Sequence, residues 1–239
     1  MSIDYGLVRT TQMVYGSYCT ISGCSKKRNN GHRYCSHHKY LLIFRGDANQ
    51  QKISIKTQNF AKKAVTELIK DNQSNEAWHE LMSVINERWV IASKFVQAEL
   101  DKYFSGKPSD RHTRNGDFLL RDIFDVVGLE KTFVIYCSWQ YLQEWNPNMF
   151  VTDAAFRHQL VRSLRNQAKS FHSQNINKRT GKPNSYSSPL YMREREVVWE
   201  ILIQIFGTTG MQLYKQIERR ANRLRENKER IYAAIKRIE

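Results

Sequence analysis

Three of the four cysteines fall between Cys19 and His38, at Cys19, Cys24 and Cys35, and His37 and His38 follow the last of them. The gaps are four residues, then ten, then two up to His38. Two short ligand pairs separated by a loop are what a tetrahedral zinc ion requires of a chain. Cys19 and Cys24 make the first pair, with Gly23 easing the turn between them. Cys35 and His38 make the second, because a two-residue gap at a helix start brings both side chains to one side. His37 is the competing ligand, but about 100° of helical rotation turns it away. The spacing predicts one structural zinc ion per chain, held by Cys19, Cys24, Cys35 and His38. It also argues for a reducing compartment rather than a disulfide scaffold.

The residues around these ligands carry a resemblance. Gly23-Cys24, Arg33-Tyr34-Cys35, His38, Lys39-Tyr40 and Arg45-Gly46-Asp47 stand in an order similar to the N-terminal zinc module of phage HNH homing endonucleases and related mobile-element DNA-binding proteins. The resemblance covers residues 19–47. It implies a DNA-associated zinc module on a phage or mobile-element protein. No His-Asn-His constellation follows it, nor a GIY-YIG or PD-D/E-x-K arrangement, and cleavage needs such groups to hold a metal and activate water. The missing arrangements favour a non-catalytic DNA-binding regulator or architectural factor, with a homing-type endonuclease as the alternative.

Charge points the same way. The net charge is +15, and it is unevenly spread. Residues 1–50 contribute +5, residues 51–150 are neutral, and residues 151–239 contribute +10. A chain basic at both ends and neutral between them suggests two contact regions for a polyanion joined by a structural block. DNA is expected ahead of RNA. A membrane surface is not, because the basic segments lack a strongly apolar opposite face. No apolar run approaches the roughly 18–20 residues of a membrane span, and no secretory leader is recognisable, so a cytoplasmic protein is expected.

Hydrophobic periodicity predicts a mainly α fold, a small zinc finger followed by a helical bundle with a long C-terminal helix. Helices are expected over 57–71, 76–104, 118–127, 131–145, 153–171, 190–206 and 211–239. Residues 46–51 read as a linker, which puts a finger module at 1–50 and a basic all-α domain at 51–239. A sub-boundary is suggested near 146–152. Residues 105–116 read as a break. The aromatic stripe from Trp78 to Tyr103 reads as core, and the apolar helix around Cys137 must be buried.

Candidate nucleic-acid contacts follow from the basic segments. Lys26, Lys27 and Arg28 form a cationic turn in the finger, with Arg33 beside it. Arg162, Arg165 and Lys169 decorate the helix from residue 153. Lys178, Arg179 and Lys182 lie in a polar loop over 172–189, expected to order on nucleic acid. Arg219, Arg220 and Arg223 follow a loose helix-turn-helix at Gly207-Thr208-Thr209-Gly210, which lacks the Lys-Ser/Thr ending of a phosphate-binding loop. The last helix carries a heptad seam through Tyr214, Ile217, Ala221, Leu224, Lys228, Ile231, Ile235 and Ile238. That seam predicts either a homodimer through 211–239 or packing on the 190–206 helix. A third reading makes the chain a structural or host-interaction protein with the zinc site as a staple.

Overall fold

The computed structural model describes residues 17–28, 31–168 and 189–235, with side chains described as far as Arg230. The described residues are dominated by eight helices: α1 (Ser36–Arg45), α2 (Ile55–Asp71), α3 (Glu76–Phe104), α4 (Arg111–Asp122), α5 (Leu129–Trp145), α6 (Asp153–Gln167), α7 (Met192–Phe206) and α8 (Thr209–Ile235). The only extended pairing among them is a single antiparallel bridge between Tyr18 and Lys27. Short polar residues start the helices. Ser54, Asn75, Asp110 and Thr152 each accept a backbone N–H of the first turn of α2, α3, α4 and α6, satisfying donors the helix cannot use itself.

Helix α5 is the axis of the body. From Phe133 to Leu142 its side chains are buried almost all round, as expected of a helix without a polar face. α2 and α8 pack on one side of it and α6 on another, while α4 and α3 meet α7 in an adjoining layer. One apolar cluster runs through all of them, from Ile53 to Leu213. Its centre is aromatic: Phe133 lies 5.7 Å from Phe206, and Tyr136 lies 5.0 Å from the same ring. The short turn Pro147–Met149 does not divide this cluster, since Phe150 joins Trp139 to Phe156 across it.

Several expectations shift. The break after α3 is shorter than its composition suggests, because Asp110 already caps α4 and Gly116 lies inside that helix. Gly116 is there for close approach, since a Cβ would stand 2.9 Å from Cβ of Val197 on α7. α4 runs on into one π-turn (Ile123–Val127) before Gly128. The burial of α5 leaves no face for a DNA groove. α8 begins at Thr209, and it packs on α5 and α2 rather than on α7. The loose helix-turn-helix at residues 207–210 therefore lacks the mutual packing of its two helices.

The segment read as a linker is a docking segment. Ala48 and Gln50 are buried, Gln50 completely. Nε2 of Gln50 donates to the Met149 carbonyl at 3.0 Å, and its Oε1 accepts the Val151 N–H at 3.1 Å. Gly46 ends α1 with φ of 85°, and a Cβ there would lie 2.5 Å from Cβ of His158. Only glycine meets both demands. α1 is thereby seated on α6.

Candidate metal centre

The finger is built from backbone pairing on one side and a helix start on the other. Cys19 N–H donates to the Lys26 carbonyl at 2.9 Å, and Arg28 N–H donates to Ser17 at 3.1 Å. Between them the Cys24 N–H closes onto Ile21 at 3.0 Å, with Gly23 at φ of 76°. This knuckle presents Cys19 and Cys24 from one side. Cys35 is the N-cap of α1, which puts His38 one turn further on and facing back.

The four ligand atoms converge, all lying within 4.8 Å of one another. Nδ1 of His38 is 3.2 Å from Sγ of Cys19 and 3.4 Å from Sγ of Cys35. The sulfurs of Cys24 and Cys35 are 3.9 Å apart, and all are free thiols. His37 is exposed and outside the cluster. Cys19 and Cys35 are buried, while Cys24 and His38 are half-buried.

The electrostatics favour a cation. Burial raises the Cys19 thiol, but N–H groups of Cys35 and Ile21, with His38 and Cys24, bring it down to about 6. Lys26 N–H lowers the Cys24 thiol, yet burial and the sulfurs of Cys19 and Cys35 outweigh it and leave it raised. Three thiols this close cannot all ionise together without a positive charge among them. A metal ion supplies that charge and takes the thiolates as ligands. The cluster can bind a metal ion. The fourth cysteine, Cys137, is fully buried in α5, far up its titration range through desolvation.

The predicted nucleic-acid residues divide into three groups. Lys26, Lys27 and Arg33 are exposed on the finger, with Arg28 half-buried beside them. Arg219, Arg220 and Arg223 are exposed on α8, and Arg220 pairs with Asp71 at the end of α2. Arg162 and Arg165 do not decorate an open face as expected. Arg165 is buried, and desolvation with the charge of Arg162 lowers its pKa to about 10 despite Glu194. Arg162 is half-buried in the α1–α6 seam and donates to the Phe44 carbonyl. Lys169, Lys178, Arg179 and Lys182 lie outside the described residues. No helix among those described is long and apolar enough to cross a membrane.

The seam itself escaped sequence reasoning. Gln159 donates to the Arg45 carbonyl at 3.1 Å, and the ring of His158 donates to that of Phe44. Burial, with the charges of Arg195, Arg162 and Arg165, lowers His158 to about 3, so the ring is neutral. Only the Gly46-Asp47 turn marked this region, and it reads equally well as a linker start.

No family model, curated protein or solved structure matches this chain.

Proposed function

We propose that the chain is a zinc-stapled nucleic-acid-binding protein that acts without catalysis, as a regulator or architectural factor. The reading carries the phage or mobile-element character, and the preference for DNA, that the resemblance of its zinc module implies. The observation that carries it is the far part of α8. Every side chain from Glu218 to Arg230 is exposed, and the stretch holds six Lys/Arg against three Glu. Arg220 pairs with Asp71, and the remaining excess on this exposed stretch is available to phosphates. The finger turn at Lys26 and Lys27 is a second exposed cationic element.

Zinc is the metal the donor set favours, since thiolate and imidazole ligands in a closed four-fold site suit it best. Zn–S bonds of about 2.3 Å put tetrahedral sulfurs about 3.8 Å apart. The 3.9 Å separation of Cys24 and Cys35 fits that spacing. A closed site leaves no open position for substrate, so the ion would hold the finger together rather than act on a bond.

The test is an electrophoretic shift across a salt series with duplex DNA and single-stranded competitors. Each phosphate contact adds roughly −0.9 to the slope of log affinity against log salt on duplex DNA. Replacing Lys26, Lys27 and Arg28 together by Glu should reduce that slope by about two to three units. The duplex should remain intact in magnesium. Absence of a shift at low salt with every polynucleotide would defeat the reading.

A further inference from the structure

The seam between α1 and α6 encloses an open cleft of about 460 Å³, within the roughly 300–1,000 Å³ range of small-molecule sites. Its wall includes Arg45, Lys52 and Arg162 and no carboxylate. Several arginines elsewhere in the body are paired, Arg157 and Arg195 with Glu196 and Arg220 with Asp71. No carboxylate among the described residues lies within ion-pair distance of Arg45, Lys52 or Arg162. Arg45 and Arg162 are half-buried and Lys52 is exposed, and like charges gathered where water is partly excluded cost stability unless an anion joins them. Burial, reinforced by the charge of Arg45, already lowers the pKa of Arg162, with Tyr40 opposing it.

The two guanidinium groups are held in place. Nη1 of Arg45 donates to the Gln50 carbonyl at 3.1 Å, and Nη1 of Arg162 donates to Phe44. Each fork keeps further N–H groups for an oxyanion, a geometry suited to phosphate. The rest of the wall asks for more than phosphate. Gln58 and Gln159 each spend their amide nitrogen on a backbone carbonyl, Ile53 and Arg45, both at 3.1 Å. Their oxygens are left as acceptors for N–H groups of a ligand. Tyr40, half-exposed and packed 4.6 Å from Phe44, adds a flat apolar surface.

We propose that this cleft binds one nucleoside monophosphate unit, its phosphate at Arg45, Lys52 and Arg162 and its base against Tyr40 and the amides of Gln58 and Gln159. Two sources share that chemistry: an unpaired nucleotide of a bound strand and a free mononucleotide. A base stacked and paired in a duplex cannot enter such a cleft. The first source rests on the nucleic-acid reading above, and the second does not.

Calorimetric titration of the metal-loaded chain tests it, with adenosine monophosphate, ribose phosphate and inorganic phosphate as probes. The altered protein carries Lys52→Glu and Asn166→Asp, which place carboxylates in the cleft. Both side chains are exposed and neither bonds another among the described residues. The melting temperature should therefore not fall below the parent's, and the metal content should match it. Adenosine monophosphate should bind the parent, and the pair of substitutions should weaken it about tenfold or more, the scale of one charge-assisted contact. A single-stranded oligonucleotide that displaces the mononucleotide supports the strand as source. One that binds without displacing it supports the free nucleotide. Inorganic or ribose phosphate binding as tightly as the mononucleotide overturns the proposal, as does mononucleotide affinity unchanged by the substitutions. Failure to bind the mononucleotide at all overturns it too. Polynucleotide shifts that persist unchanged in the altered protein then leave the nucleic-acid reading standing alone.

Discussion

Cys35 shows how much one residue can be asked to do. It caps α1, its backbone N–H helps to hold the Cys19 thiol at about 6, and its own sulfur faces Cys24 and His38. Replacing it removes a ligand from a closed site, and structural zinc contributes on the order of 10 kcal/mol of apparent binding energy in comparable modules. Cys35→Ala should therefore take bound metal from one equivalent to none while leaving most of the helical circular dichroism, since the apolar cluster begins at Ile53. Elemental analysis and far-ultraviolet dichroism check both halves. Cys137→Ser is the control: its site is buried in α5, so it should lower stability and leave the metal content alone. Loss of metal from the Cys137 variant, or retention in the Cys35 variant, would move the site. The ligand set was legible in the sequence because spacing carries the geometry of a tetrahedron. The fate of Arg165 was not. A cation on the polar side of a helical pattern reads as solvated, and only the approach of α7 with Glu194 buries it.

At the scale of elements, the seating of α1 on α6 is the feature with a pH signature. His158 is buried under Gly46, neutral, and surrounded by the charges of Arg195, Arg162 and Arg165. Its folded value of about 3 lies below the ordinary value of 6.5. Between those values the unfolded chain binds a proton that the folded chain refuses. The stability is whole above the unfolded value and is lost as pH falls toward the folded one. The loss has an upper bound of about 1.4 kcal/mol per pH unit. His158→Gln keeps an N–H for the Phe44 carbonyl and does not titrate, so its urea midpoint should fall less between neutral pH and pH about 4. Acid release of the metal is common to both proteins and drops out of the comparison. Parallel acid profiles for the two would show that His158 does not govern this joint. Helices α3 and α5 were readable because burial imposes a period or abolishes it. The joint was not, because it rests on Gln50, Gln159 and Gly46, polar or small residues whose partners lie across the chain.

Over the whole chain, residues 51–150 are neutral, while the finger before them and residues 151–239 after them are basic. Helix α8 joins the two regimes. Leu213, Tyr214 and Ile217 pack with the core, and Tyr214 meets Tyr141 at 5.3 Å. Beyond them residues 218–235 continue for about 27 Å at 1.5 Å per residue. The first heptad of the seam thus serves the body itself, on α5 and α2. Ala221 and Leu224 remain outside, Leu224 56 % exposed, with Lys228 next in line. The side chains of Ile231, Ile235 and Ile238 lie outside those described. In a parallel dimer with Leu224 at d, Arg220 at g would face Arg225 at e of the partner helix, a repulsive pair. A free helix of this length with few alanines is marginal in water. On the proposed nucleic-acid reading, a polyanion rather than a second copy would hold it in order. Hydrogen exchange should find amides 219–235 exchanging much faster than those of α5 in the free chain, and slowing on addition of duplex DNA at low salt. Diluting the free chain tenfold should leave their rates unchanged, and Leu224→Asp should change neither mass by light scattering nor the DNA-dependent protection. Protection that instead rises with protein concentration and vanishes in Leu224→Asp would give the helix to a dimer and remove it from the nucleic-acid surface.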